Sequence, residues 1–202
     1  MPHTQARLAV QDFGGHQAMS LRASIEGLFA AHGTRPDAAG VHPAVSPLEH
    51  ALQCARLAER AGAGDALVAA ALLHDVGRLG VCDGEVDRHD LRGVAWLAPH
   101  LGVDVIEPIR LHVAAKRYLV AIDPRYAAAL PEEARRTLER QGGRMSSYEV
   151  WIFGAQPYAE QAIALRHWDD AACRPGLCTP GLDHYLPLLE ALRDRPIADV
   201  VG

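Results

Sequence analysis

Aromatic side chains are scarce here: Phe, Tyr and Trp together supply 5% of the 202 residues. A core must therefore be filled mainly by Ala and Leu, which favour helices and lack β-branching. No segment sustains a period-two pattern of β-branched residues, so no sheet is expected and the fold class is all-α. Cysteines are few and isolated. Cys54, Cys82, Cys173 and Cys178 form no C-x-x-C pair, which excludes a zinc knuckle and a dithiol redox motif. They read as reduced thiols, with Cys54 packed on a helix face. No apolar run is long enough to span a bilayer. Residues 1–15 are polar and lack the apolar stretch of a signal peptide, so a cytoplasmic location is expected. An excess of positive charge is also missing. Lys and Arg number 20 against 25 Asp and Glu, a net charge of −5. Bulk electrostatics then offer nothing to nucleic acid or to an anionic membrane, and neither is expected as a partner.

What is present is a series of amphipathic segments without repeats. Residues 17–32 read as a first helix, with Leu21, Ile25, Leu28 and Phe29 on one stripe. After a connection over 33–45, Ser46-Pro47-Leu48-Glu49 predicts a capping box with Pro at the first helical position. Gly62 is a plausible stop. Asp65 is expected to cap a third helix, whose apolar body ends at His74-Asp75. Residues 78–87 read as a loop, and 88–98 and 104–122 as helices, with Pro108 tolerated for lying near the start. Helices follow over 131–141, 157–172 and 183–192, with a capped turn at Ser146–Glu149 and a loop at 174–180.

His74-Asp75 is the strongest chemical signal. Neighbouring helical side chains diverge by about 100°, so two of them can approach one metal only where a helix ends. A carboxylate has two oxygens, so Asp75 can bridge two metals while His74 binds one. Taken singly, the other candidates have ordinary explanations: His50 as a satisfied core histidine, His89 as a surface residue, Asp169 as a solvated carboxylate. With His112 they make four histidines and two carboxylates spread over successive helices. Helical bundles build metal sites from inward-facing side chains in this way. Imidazole and carboxylate ligands suit iron, manganese or zinc alike.

The ordered pattern H…HD…H…H…D resembles the signature of the HD superfamily. His50, His74, Asp75 and Asp169 match its tetrad, and His89 and His112 match the extra pair of its two-metal members. Longer strings narrow the likeness: 48–55 (LEHALQCA), 70–77 (AALLHDVG), 112–119 (HVAAKRYL), 137–143 (TLERQGG) and 166–169 (RHWD). These resemble, in order, the mixed-valent diiron oxygenases that cleave 1-hydroxyphosphonates, relatives in fold of myo-inositol oxygenase. The resemblance implies a single HD-domain helical bundle over 1–202, with its metal-binding core at about 46–185. It implies two irons as Fe(II)/Fe(III) and dioxygen as co-substrate. One iron would take His50, His74 and Asp169, the other His89 and His112, with Asp75 bridging. Asp75, His89 and His112 would then form the catalytic set.

The resemblance also implies a small phosphonate substrate, oxidised and cleaved to release phosphate. Lys116 is one turn after His112, and Arg166 is three residues before Asp169, so each shares a helix face with a ligand. Two such cations suit a phosphonate dianion. Three departures from the aminoethyl-specific member stand out. Arg78 replaces a histidine that helps bind the phosphonate there, which would keep or strengthen anion recognition. Ala134 replaces a serine, and Gly40–Pro43 lacks a Tyr and a Glu that lie near the substrate amine. A tail different from aminoethyl is therefore expected. The rival reading from the residues alone is a metal-dependent HD phosphohydrolase acting on a nucleotide or phosphate ester.

Overall fold

The computed structural model describes residues 20–34, 44–80 and 87–193. Through these run helices α1 Leu21–His32, α2 Pro47–Arg60, α3 Asp65–Leu73, a 3-10 turn Val76–Arg78, α4 His89–Leu97 and α5 Val103–Ile122. The chain continues through α6 Pro124–Ala129, α7 Glu132–Arg140, α8 Ser147–Gly154, α9 Ala159–Ala171 and α10 Leu182–Arg193. Among the described residues there is no strand, so the architecture is the expected all-α bundle. None of their helices is long and apolar enough to cross a membrane. Gly40–Pro43 and Cys82 lie outside the described residues.

The centre of the bundle is α3. A helix that is apolar all round must be buried all round, and every residue of α3 from Val68 to Leu73 is buried. It packs against α2, α5, α9 and α10. Ala69, Ala70 and Ala71 leave no side-chain bulk to hold those neighbours off. Asp65, expected as the cap, is instead the first helical residue. Gly64 takes the cap position without a side-chain bond, so Asp65 contributes only its charge to the positive helix end.

The predicted capping box opens α2. Ser46 Oγ accepts from the Glu49 amide at 3.2 Å, and Glu49 Oε2 accepts from the Ser46 amide at 2.7 Å. That fixes the helix start three residues before His50. Ser46→Ala would cost about 1 kcal/mol. The longest helix, α5, carries Pro108 at its sixth residue, deeper than expected. The carbonyl of Asp104 thereby loses its helical donor.

Two elements were not anticipated. Asp123-Pro124 starts α6, with Asp123 Oδ1 accepting from the Arg125 amide at 2.8 Å. The capped turn at Ser146 extends into the eight-residue α8. A second apolar cluster of Leu111, Ala115, Met145, Phe153, Ala159 and Ala162 joins α8 and α9 to α5.

Gly77 sets the approach of the 3-10 turn to α4. A Cβ there would lie 2.0 Å from the His89 carbonyl oxygen and 2.5 Å from the Gly93 nitrogen. Only glycine lets these backbones touch, and the contact brings His89 against Asp75.

Candidate metal centre and substrate cavity

The six residues expected as ligands meet at one place, delivered by five different parts of the fold. α2 carries His50, and α3 ends at His74 and Asp75. His89 opens α4, His112 lies inside α5, and Asp169 lies in the last turn of α9. His50, His74, His89 and His112 are each at most 1% exposed, and Asp169 is also buried. Neither a surface histidine at 89 nor a solvated carboxylate at 169 survives.

Each imidazole is held by its outer nitrogen. His50 Nδ1 lies 2.8 Å from the Ala172 carbonyl, His74 Nδ1 2.9 Å from Ala71 and His112 Nδ1 2.6 Å from Ile109. His89 Nδ1 lies 2.6 Å from Asp87 Oδ1. These acceptors require the proton on Nδ1, which leaves a lone pair on Nε2. The four Nε2 atoms then converge. His89 and His112 stand 2.9 Å apart at Nε2, and His50 and His74 3.4 Å. Two bare lone pairs at such distances repel unless a cation lies between them. This donor set fits metal ions.

The carboxylates sit where such cations belong. Asp75 Oδ1 is 3.1 Å from His89 Nε2 and 3.8 Å from His112 Nε2. Its other oxygen is 3.8 Å from His74 Nε2. The two oxygens thus face two different histidine pairs. Asp169 Oδ1 lies 3.2 Å from His50 Nε2 and 3.6 Å from His74 Nε2. Among the described residues, two groups have ligand atoms within 4.8 Å of one another: His50, Cys54 and His74, and Asp75, His89 and His112. Cys54 is buried as expected, but its sulfur also lies 3.5 Å from His50 Nε2.

Electrostatics agree with metal binding. Burial, then the neighbouring His89 and His74, hold His112 well below the usual histidine range, so it stays a neutral donor. Burial, the largest influence, and Arg78 oppose a charge on His89, but the Asp75 charge together with the hydrogen bonds to Asp75 and Asp87 outweighs them and raises that ring. A field that favours a proton there also favours a metal cation. For Asp169, burial is outweighed by Arg166 and His74, and the carboxyl is held well below its ordinary range.

A cavity of about 230 Å³ opens beside this cluster. Asp75, His89, His112 and Asp169 line it, together with the three cations read from the sequence, Lys116, Arg166 and Arg78. Lys116 is 2% exposed, so it is no surface cation. Its ammonium donates to Thr137 Oγ1 at 2.6 Å and Gln141 Oε1 at 3.1 Å, leaving a third donor. Burial, reinforced by the Arg166 charge, pushes its pKa down to about 7. Arg166 is differently placed. Its Nη1 lies 2.7 Å from Asp169 Oδ2, and its other nitrogens meet Asp170 and Tyr126. Arg78 donates to Asp75 Oδ1 at 3.2 Å and Asp87 Oδ2 at 3.0 Å. Both arginines therefore orient carboxylates of the cluster as well as facing the cavity. Ala134 also lines the cavity.

Sequence reasoning missed Asp87, Thr137 and Gln141. Asp87 is buried, and burial favours its neutral form. The hydrogen bond from His89, the charges of His89 and Arg78, and the Gln141 bond outweigh this and hold it well below the usual carboxylate range. The only available signal was its place two residues before His89.

A helical bundle whose four fixed imidazoles and two carboxylates converge beside a cationic pocket is a metalloprotein of the HD class. No protein-family model matches the chain. Curated relatives do. The chain is 40% identical over 149 residues to a hydroxymethylphosphonate dioxygenase of Gimesia maris, covering 70% of this chain and 74% of that one. It is 35% identical over 158 residues to the 1-hydroxy-2-(trimethylamino)ethylphosphonate dioxygenase (glycine-betaine-forming) of Leisingera caerulea, covering 75% and 81%. An uncharacterized protein of Acanthamoeba polyphaga mimivirus is 32% identical over 151 residues, covering 70% and 69%. This chain belongs to the phosphonate-cleaving HD oxygenases.

Proposed function

We propose that this protein uses dioxygen to oxidise and cleave the C–P bond of a small 1-hydroxyphosphonate, releasing phosphate. Two relatives named as hydroxyphosphonate dioxygenases support this. What carries the proposal is the convergence of four Nε2 lone pairs, with the two oxygens of Asp75 facing different histidine pairs. We assign His50, His74 and Asp169 to one iron and His89 and His112 to the other, with Asp75 between them. Residues 1–202 are taken as one HD domain with its metal-binding core at about 46–185. When bound, an Fe(II)/Fe(III) pair supplies the redox chemistry that lets dioxygen attack the carbon bearing phosphorus.

The protein's own groups prepare that carbon. Lys116, fixed by Thr137 and Gln141, offers its remaining donor to the phosphonate. Arg166 and Arg78 add charge at the cavity wall while holding Asp169 and Asp75 in place. The phosphonate is thereby held beside the ligand cluster, which leaves the hydroxyl-bearing carbon next to Asp75, His89 and His112. A fixed position of this kind replaces the entropy cost of a chance encounter.

The test is phosphate release from hydroxymethylphosphonate and its 2-substituted analogues by the iron-loaded protein. Release should stop under strict anaerobiosis and return with air. Low-temperature EPR should show a coupled mixed-valent signal that shifts with substrate. Undiminished turnover without oxygen would reject the proposal in favour of hydrolysis.

A further inference from the structure

Asp87 and Gln141 close a continuous line of hydrogen bonds between the cavity's lysine and a histidine of the metal cluster. Lys116 Nζ donates to Gln141 Oε1 at 3.1 Å, and Gln141 Nε2 donates to Asp87 Oδ2 at 2.8 Å. The other oxygen, Asp87 Oδ1, lies 2.6 Å from His89 Nδ1. The neighbours fix the orientation of the amide. An ammonium can only donate and an ionised carboxylate can only accept, so Oε1 must face Lys116 and Nε2 must face Asp87.

The backbone at Gln141 is locked as well. Gln141 caps α7, its amide bonding back to Thr137 O at 3.0 Å. Gly142 and Gly143 then turn the chain with φ of 102° and 69°, values other residues rarely adopt. Arg117 Nε donates to the Gly143 carbonyl at 2.9 Å and holds the turn against α5.

We propose that Gln141 is a positioning residue that ties Lys116, which grips the phosphonate, to Asp87, which orients the metal-ligating His89. The roles of Lys116 and His89 rest on the function proposed above. A primary amide accepts from the ammonium at its oxygen and donates to the carboxylate from its nitrogen, so one neutral side chain spans both partners. Leucine would leave both partners short of a bond. Glutamate has the same shape and keeps the bond to Lys116, but it sets two carboxylates face to face. Carboxylates that hold a ligating imidazole by its outer nitrogen typically account for ~10–100-fold in metal affinity. Loss of the Gln141 bond should reach part of that sum through Asp87.

The experiment is a Co(II) titration of the metal-free full chain against a competing chelator. It compares the wild type with His89→Ala, Asp87→Asn, Gln141→Leu, Gln141→Glu and the double variant Gln141→Leu/Asp87→Asn. Asp87→Asn should weaken the His89-side metal by ~10–100-fold, and both Gln141 variants by roughly tenfold. The double variant should lose no more than Asp87→Asn alone, because Gln141 acts through Asp87. Inorganic phosphate, as the anion probe, should bind several-fold more weakly to Gln141→Leu. A role in packing alone would spare the isosteric Gln141→Glu, so wild-type metal affinity in that variant overturns the proposal. A Gln141→Leu loss that adds in full to the Asp87→Asn loss overturns it too. Unchanged phosphate binding in Gln141→Leu removes the Lys116 half of the tie. If His89→Ala retains both metals, the ligand assignment itself fails, an outcome distinct from the failure of Gln141→Glu.

Discussion

Replacing Lys116 with Met separates its charge from its packing, since the two side chains have similar length and the site is buried. A hydrogen bond from a charged group to an anion is worth roughly 1.5–3 kcal/mol. Its loss should therefore weaken phosphonate binding by about one to two orders of magnitude. That holds only while Lys116 carries its proton. Burial and Arg166 push its pKa down to about 7, so the ammonium exists in full below that value and is lost as the pH rises through it. At pH 8 the ligand must first re-protonate the lysine, which costs about 1.4 kcal/mol for one unit. The remaining advantage over Met is then at most ~1.6 kcal/mol, roughly fifteenfold. The ratio of variant to wild-type Kd should accordingly be large at pH 6 and shrink toward pH 8.5. Taking the ratio at each pH cancels the ligand's own ionisation. Isothermal titration of hydroxymethylphosphonate into the metal-free protein, the state to which that pKa applies, measures both constants. A ratio that is flat across this range would refute the depressed lysine, and a ratio near one throughout would refute the anion contact.

Asp75→Ala removes the one carboxylate that faces both histidine pairs, so elemental analysis should find both metals lost; two tightly held metals would remove Asp75 as the bridge. Gly77→Ala places a Cβ 2.0 Å from the His89 carbonyl, which neither backbone can yield cheaply. It should lower Tm by several degrees and release the metal bound at His89, whereas a wild-type Tm would show that the turn and α4 can separate. In a competition among 1-hydroxyphosphonates with ammonium, neutral and methyl-like tails, kcat/KM should not favour the 2-amino compound. The stretch Gly40–Pro43 lacks the Tyr and Glu that would greet an ammonium, and a strong preference for that compound would show that another carboxylate such as Glu133, which lines the cavity, replaces them.

Two of the proposed ligand positions were legible because they sit at punctuated places, whereas His112, inside α5, and Asp169 stood out only through the ordered resemblance. The capping box at Ser46 and Glu49 announced α2, and the polar pair His74-Asp75 broke the apolar run of α3. The supporting acceptors were not legible. Three of them are backbone carbonyls, of Ala172, Ala71 and Ile109, and a backbone carbonyl leaves no mark on the residue type that carries it. Gln141 stood within the 137–143 string, but its link to Asp87 was hidden for another reason. It lies 54 residues from Asp87, and only the packing of α7 over the cavity brings the two within 2.8 Å. Asp65 shows the limit of local rules: Gly64 already has the extended backbone of a cap, with φ −67° and ψ 158°, so the aspartate moves one place into the helix.

The charges around the cavity also bear on the order in which things bind. Four carboxylates, Asp75, Asp87, Asp169 and Asp170, face three side-chain cations, Arg78, Lys116 and Arg166. Without a metal the carboxylates also favour a proton on His89, and Lys116 is only partly protonated near neutrality. Metal ions at the imidazoles would displace such protons and add positive charge beside the phosphonate. Metal bound first should thus strengthen substrate binding. The same count revises the expectation for Arg78. Relative to a neutral imidazole it adds a positive charge, but that charge is shared between Asp75 and Asp87 at 3.2 and 3.0 Å. Its first effect is to hold two carboxylates of the metal cluster in place, and what remains for the phosphonate is smaller than a full guanidinium would give.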